Sequence, residues 1–186
     1  ALRTIQLMPK DKMSTFTYAH IICPHPPFLF GPNGEEVSLL DNIKKSNLEQ
    51  LYLDQVRFLN IKVKQTVGHI ISSSPQSIIV IQADHGAGYI FEPSQFFKTR
   101  HSHHDQKFIN SQMNILNAIY VNDGCKTKLP DNLTPVNTFR IIFNCYFNAN
   151  FVILANKSFF SSHERPYRFE DITGLTAGLY AVTITD

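Results

Sequence analysis

Tryptophan is absent from this 186-residue chain, cysteine occurs three times, and formal charge almost cancels at +2. Each shortage excludes something. A net charge near zero, with no Lys/Arg-rich run, is not the footprint of a nucleic-acid-binding protein, so no nucleic-acid partner is expected. No apolar stretch approaches the roughly 20 residues that span a bilayer. The chain starts at Ala1 and shows no signal-peptide pattern. Cys23, Cys125 and Cys145 are odd in number and form no CxxC pair, which predicts neither a disulfide framework nor a zinc knuckle. There is no GxSxG elbow, no P-loop and no GxGxxG phosphate cradle. Ser162-His163-Glu164 is a run along the chain, whereas a catalytic triad is an arrangement in space.

What is present is ordinary for a packed protein. Hydrophobic residues make up 43% and charged residues 17%. That balance supports a core and argues against overall disorder. The length suits one α/β domain covering residues 1–186, and no linker or internal repeat divides it. Fifteen Phe and seven Tyr fit core packing better than a base-stacking surface.

The most informative stretch is Ile78-Ile79-Val80-Ile81-Gln82-Ala83-Asp84-His85-Gly86. Its apolar run lacks polar alternation and reads as a strand buried on both faces. In open α/β sheets, ligands bind beyond the carboxyl ends of strands. An acid, an imidazole and a glycine stand there in succession. Asp and His are common metal ligands, and Gly86 allows a sharp turn beside them. The competing reading makes Asp84 the cap of a turn and His85 a surface residue.

Upstream, Thr15–Ile22 has strand composition and holds His20. Cys23-Pro24-His25-Pro26-Pro27-Phe28 predicts a stiff, extended loop, because each proline fixes φ and restrains its predecessor. From Ser46 to about Ser72, apolar positions recur every three or four residues: Leu48, Leu51, Tyr52, Val56, Leu59 and Val63 among them. Ser46 with Glu49 resembles a capping box, and Pro75 stops the helix. Strand, helix, strand is a βαβ order, which predicts parallel strands with both loops at one sheet edge. His20 or His25 could then converge with Asp84-His85.

Further on, residues 87–110 lack clear periodicity. They contain Arg100-His101-Ser102-His103-His104, which reads as a solvated loop or as a metal-binding tract. Asn114–Val121 reads as a third strand and Thr134–Phe147 as a helix with Pro135 near its start. Phe151–Leu154 is expected to be a short buried run, and Leu179–Thr185 an edge strand.

The order FTYAHIICPHPPFLF, long helix, IIVIQADHG, NILNAIYV and LTPVNTFRIIF resembles the C-terminal portion of sulfatase-like proteins of the alkaline phosphatase superfamily. These include sulfatases, phosphoethanolamine transferases and lipoteichoic acid synthase-type enzymes. The resemblance runs from about Phe16 to Phe169. It implies a largely parallel sheet flanked by helices, alkaline-phosphatase-like but incomplete at the N-terminus. It implies that Asp84 and His85 ligate a divalent cation (Zn²⁺, Mn²⁺, Mg²⁺ or Ca²⁺). His25, with His20 as a substitute, would face an anionic phosphate or sulfate ester; apart from the resemblance, Arg100 and the nearby histidines stand where a further anion contact could form. A cation there would neutralise charge gathering on the ester oxygens.

In the family the nucleophile and the first acidic ligands come from an N-terminal half, and only fifteen residues precede Phe16 here. The expectation is therefore part of a larger hydrolase or phosphotransferase, inactive alone, with no nucleophile in this chain. Any extracytoplasmic, membrane-anchored location would come by analogy through a missing N-terminal region. The alternative is a non-catalytic α/β module that binds an anion or a partner.

Overall fold

The computed structural model describes residues 2–6, 14–43, 47–91, 106–162, 164–176 and 183–184. The chain divides into two compact units, Ala1–Ser77 and Ile78–Asp186.

The first unit is built on one long helix. Helices α1 (Leu2–Ile5) and α2 (Leu39–Ile43) are short, and α3 runs over Leu48–Ser73. The three-and-four spacing placed α3 within two residues of its observed ends. Every apolar position of that pattern is at least half-buried, while Leu53 and Ile61, outside it, are exposed. Ser46 lies outside the described residues, and the N-cap Asn47 makes no side-chain cap bond. The helix stops where the Ser74 amide donates to the Ile70 carbonyl (2.8 Å), one residue before Pro75.

No strand precedes α3 among the described residues. Thr15–Ile22 is exposed along most of its length, with Phe16 at 84% and Tyr18 at 79%. Strand composition favours a pleated, half-buried surface only where a neighbouring edge supplies one. The predicted βαβ unit therefore lacks its first strand.

The second unit holds the sheets. Strand β1 (Ile79–Gln82) is followed by α4 (Gly88–Phe91), α5 (Gln106–Met113), β2 (Asn117–Tyr120), α6 (Asp123–Lys126) and α7 (Pro135–Phe147). Then come β3 (Phe159–Phe160), β4 (Glu170–Asp171), a 3₁₀ turn at Thr173–Leu175 and β5 (Thr183–Ile184). β1 and β2 pair antiparallel, from Ile79↔Tyr120 to Gln82↔Asn117. β3 and β4 also pair antiparallel, and β2 adds a two-residue parallel contact with β5.

This corrects the fold expectation. The unit is a mixture of helices and small, mainly antiparallel sheets, not a largely parallel sheet flanked by helices. The reason lies in the return of the chain after β1. The Ala83 amide donates to the Leu116 carbonyl (2.9 Å), and the Gly86 amide to that of Gln112 (2.7 Å). Residues 112–116 are thus tied to the carboxyl end of β1, and β2 leaves from that same end and runs back. An apolar run without alternation looks alike in either direction, so composition did not reveal this.

Two clusters fill the second unit. Ile119, Val121, Cys125, Leu129, Leu133 and Ile141 form one; Phe108, Ile109, Phe160 and Ile172 form the other. Cys125 and Cys145 are joined by a disulfide with Cα atoms 5.7 Å apart, while Cys23 stays a free thiol. The odd count of three concealed a bonded pair and one left over. Phe151–Leu154 is not buried: its four residues are 41% to 73% exposed.

Candidate functional site

Asp84 and His85 sit between two anchors. Behind them, β1 ends in a polar lock: Gln82 Nε2 donates to Asn117 Oδ1 (3.1 Å) and Thr138 Oγ1 (3.3 Å), while Asn117 Nδ2 reaches the Leu133 carbonyl (3.4 Å). Asn117 and Thr138 are buried, so each polar atom gains from being paired there. Ahead of them, Gly86 lies against the end of α5. A Cβ on Gly86 would overlap the Ser111 carbonyl oxygen and come within 2.9 Å of that of Asn114. The glycine is thus required by close backbone approach, not only by the turn.

Between the anchors, the His85 amide donates to Asp84 Oδ1 (3.0 Å). The His85 Nδ1 lies 2.7 Å from the Gly86 carbonyl oxygen. With the proton on Nδ1 that contact is a hydrogen bond, and the Nε2 lone pair then points away from the backbone. Nε2 stands 3.7 Å from Asp84 Oδ2, with the Asp84 side chain 89% exposed and the His85 ring 40%. The two donor atoms therefore face one region of solvent at the edge of the sheet.

The Cys23–Phe28 loop belongs to the first unit. It is turned, not extended: the His25 amide donates to the Ile22 carbonyl (2.9 Å), and the Cys23-Pro24 and Pro26-Pro27 bonds are cis. His25 is exposed, with Nδ1 2.6 Å from the Pro26 carbonyl oxygen. The loop is fixed from behind by Phe28, which is fully buried and meets the Tyr52 ring edge-on at 6.2 Å. Asn42 accepts from the Phe28 amide (2.6 Å) and donates to its carbonyl (2.9 Å). Gln55, buried in α3, accepts from the Leu29 amide (2.7 Å) and the Phe30 amide (3.3 Å). His20 is exposed on the preceding segment. Burial pushes the Cys23 thiol up, which favours its protonated form over the thiolate.

Arg100, His101, His103 and His104 lie outside the described residues, as does His163. Asp84 and His85 are brought together; His20 and His25 share the other unit. Among the described residues, no group of three or more His, Cys, Asp or Glu side chains could hold a metal ion. No helix among them is long and apolar enough to cross a membrane.

Sequence reasoning missed the supports of the site. Gln82 breaks the apolar run just before Asp84, and Asn117 opens the next strand. Two amides at strand ends in one sheet are a signal that could have suggested the lock. Gln55, a polar residue on the apolar stripe of α3, is a similar signal.

Comparison with family models, curated proteins and solved structures finds no match to this chain.

Proposed function

We propose that Asp84 and His85 are two ligands of a divalent cation in a protein that acts on phosphate or sulfate esters, as a sulfatase-like hydrolase or phosphotransferase. The observation that carries this reading is the contact between His85 Nδ1 and the Gly86 carbonyl, 2.7 Å. Metal-bound histidines commonly give their second ring N–H to a carbonyl, which fixes the tautomer and aims the other nitrogen. The partner donor also fits. Atoms 3.7 Å apart can share a cation about 2.1 Å from each, with a wide angle between them.

The pair supplies only part of a coordination shell, so the remaining ligands come from groups other than these two. When bound, the cation would withdraw charge from the ester oxygens. The protein's own part is to hold the carboxylate and imidazole at the β1 end against the Gln82–Asn117–Thr138 lock.

The test is titration with Mn²⁺ or Zn²⁺ alone. Weak binding is expected from two ligands, and Asp84→Ala or His85→Ala should each weaken it by at least the roughly tenfold that loss of even an outer-shell partner costs. Affinity unchanged in both variants would remove the cation and leave a module that binds anions or partners as the better reading.

A further inference from the structure

Helix α7 is apolar on two opposite sides. At 100° per residue, Thr138, Ile141, Ile142 and Cys145 share one face, and all four are buried or half-buried. Val136, Phe139, Phe143 and Phe147 fall on the opposite face, 46%, 43%, 40% and 67% exposed. A helix that is hydrophobic all round normally lies inside a larger body.

The outer face continues into Phe151–Leu154. The Phe143 ring sits at its centre, with centroids of Phe139, Phe147 and Phe151 at 6.1, 5.7 and 6.1 Å. The segment is held by α7 itself. Asn144 exchanges two hydrogen bonds with the Phe151 backbone (2.6 and 2.8 Å), and Asn137 two with the Leu154 backbone (2.9 and 2.8 Å). The ends of this four-residue apolar segment are therefore fixed on the helix by polar side chains while its own side chains stay at the surface.

From Pro135 to Asn156 the only charged residue is Arg140. Its guanidinium lies 5.9 Å from the Phe151 centroid, and Nη1 donates to the Val152 carbonyl (3.0 Å). The strip thus carries a single charge, and that cation is engaged by the strip's own Phe151 ring and Val152 carbonyl. Its exposed side chains amount to roughly 700 Å² of apolar surface, taking about 200 Å² for a whole Phe. That exceeds the roughly 300–600 Å² patch of a typical monomer and approaches the roughly 800 Å² per partner of a standard interface.

We propose that the outer face of α7, with Phe151–Leu154, is the interface of a homodimer of this chain. The area approaches that of one side of a dimer interface, and with its one charge already engaged by Phe151 and Val152 the strip needs no counter-charge from a second copy. A two-fold axis placing it against a second copy makes an isologous, closed contact.

Sedimentation velocity from micromolar to hundreds of micromolar protein tests this. The native chain should shift from monomer to dimer. Phe147→Asp and Val152→Lys, at the most exposed positions of the helix and the segment, should each weaken association about tenfold or more, with unchanged circular dichroism. If Phe147→Asp unfolds the chain, Val152→Lys, outside the helix, carries the variant test. A native chain that stays monomeric throughout overturns the proposal and leaves the face to another occupant. So does a dimer whose affinity a folded Val152→Lys variant leaves unchanged.

Discussion

The two histidine loops solve one problem in opposite ways. Each holds an imidazole with Nδ1 against the next residue's carbonyl, Pro26 for His25 and Gly86 for His85. The Cys23–Phe28 loop is held by side chains: Asn42 and Gln55 grip its backbone, and Phe28 plugs it into α3. The Asp84–His85 pair is flanked by backbone hydrogen bonds, from Ala83 to Leu116 on one side and from Gly86 to the end of α5 on the other, with the Gln82–Asn117–Thr138 side chains adding to the first. Side-chain anchors can be removed one by one by substitution. A backbone anchor yields only to a change that the backbone cannot accommodate.

Gly86→Ala should have the largest effect. The new methyl meets carbonyl oxygens of the α5 end, which are backbone and cannot swing aside. A loss of about 3 kcal/mol in stability of the second unit is expected, measured by urea unfolding and accompanied by loss of amide protection around Gln112. A cost below 1 kcal/mol would show that the approach of Gly86 to α5 is looser than described.

Gln55→Ala comes next. It strips the acceptor from the Leu29 and Phe30 amides at a buried position, for about 2 kcal/mol. Hydrogen exchange should speed up at those two amides. The Asp84–His85 resonances should stay in place, because their anchors lie in the other unit. Movement of both loops together would break the contrast.

The smallest effect is a pH dependence in the second unit. Asp171 is held below the ordinary carboxylate range by hydrogen bonds from the Thr173 side chain and amide, with Lys157 assisting. A lowered native value means the unfolded chain takes up the proton first. The stability this gives is therefore present above about pH 4 and is lost as pH falls through the native value. Asp171→Asn should flatten that part of the acid-unfolding curve. An identical curve in the variant would remove Asp171 from the account.

The sequence made some of these features legible and hid others for physical reasons. Helix α3 was readable because Leu48, Leu51, Tyr52, Val56, Leu59 and Val63 keep helical spacing along one face. Helix α7 was readable through Pro135 and its apolar period, and it ends where Asn148 takes a left-handed conformation. Strand β1 was readable, but not its direction, which depends on hydrogen bonds to residues some thirty positions later. Composition misled at Thr15–Ile22 and Phe151–Leu154, since a strand-like run reports capacity for burial and not a partner. Of the site, the adjacency of Asp84 and His85 was legible, whereas the Gln82–Asn117–Thr138 lock depends on three elements meeting. The Cys125–Cys145 bond needed α6 and α7 side by side.

The central claim is that Asp84 and His85 share a cation. Its most direct measurement is the NMR spectrum of the histidine ring protons during Mn²⁺ titration of the whole chain. The account predicts that His85 and the Asp84 amide broaden first, and that Asp84→Ala abolishes the selectivity. Uniform broadening of the exposed histidines, or none at His85, would contradict it.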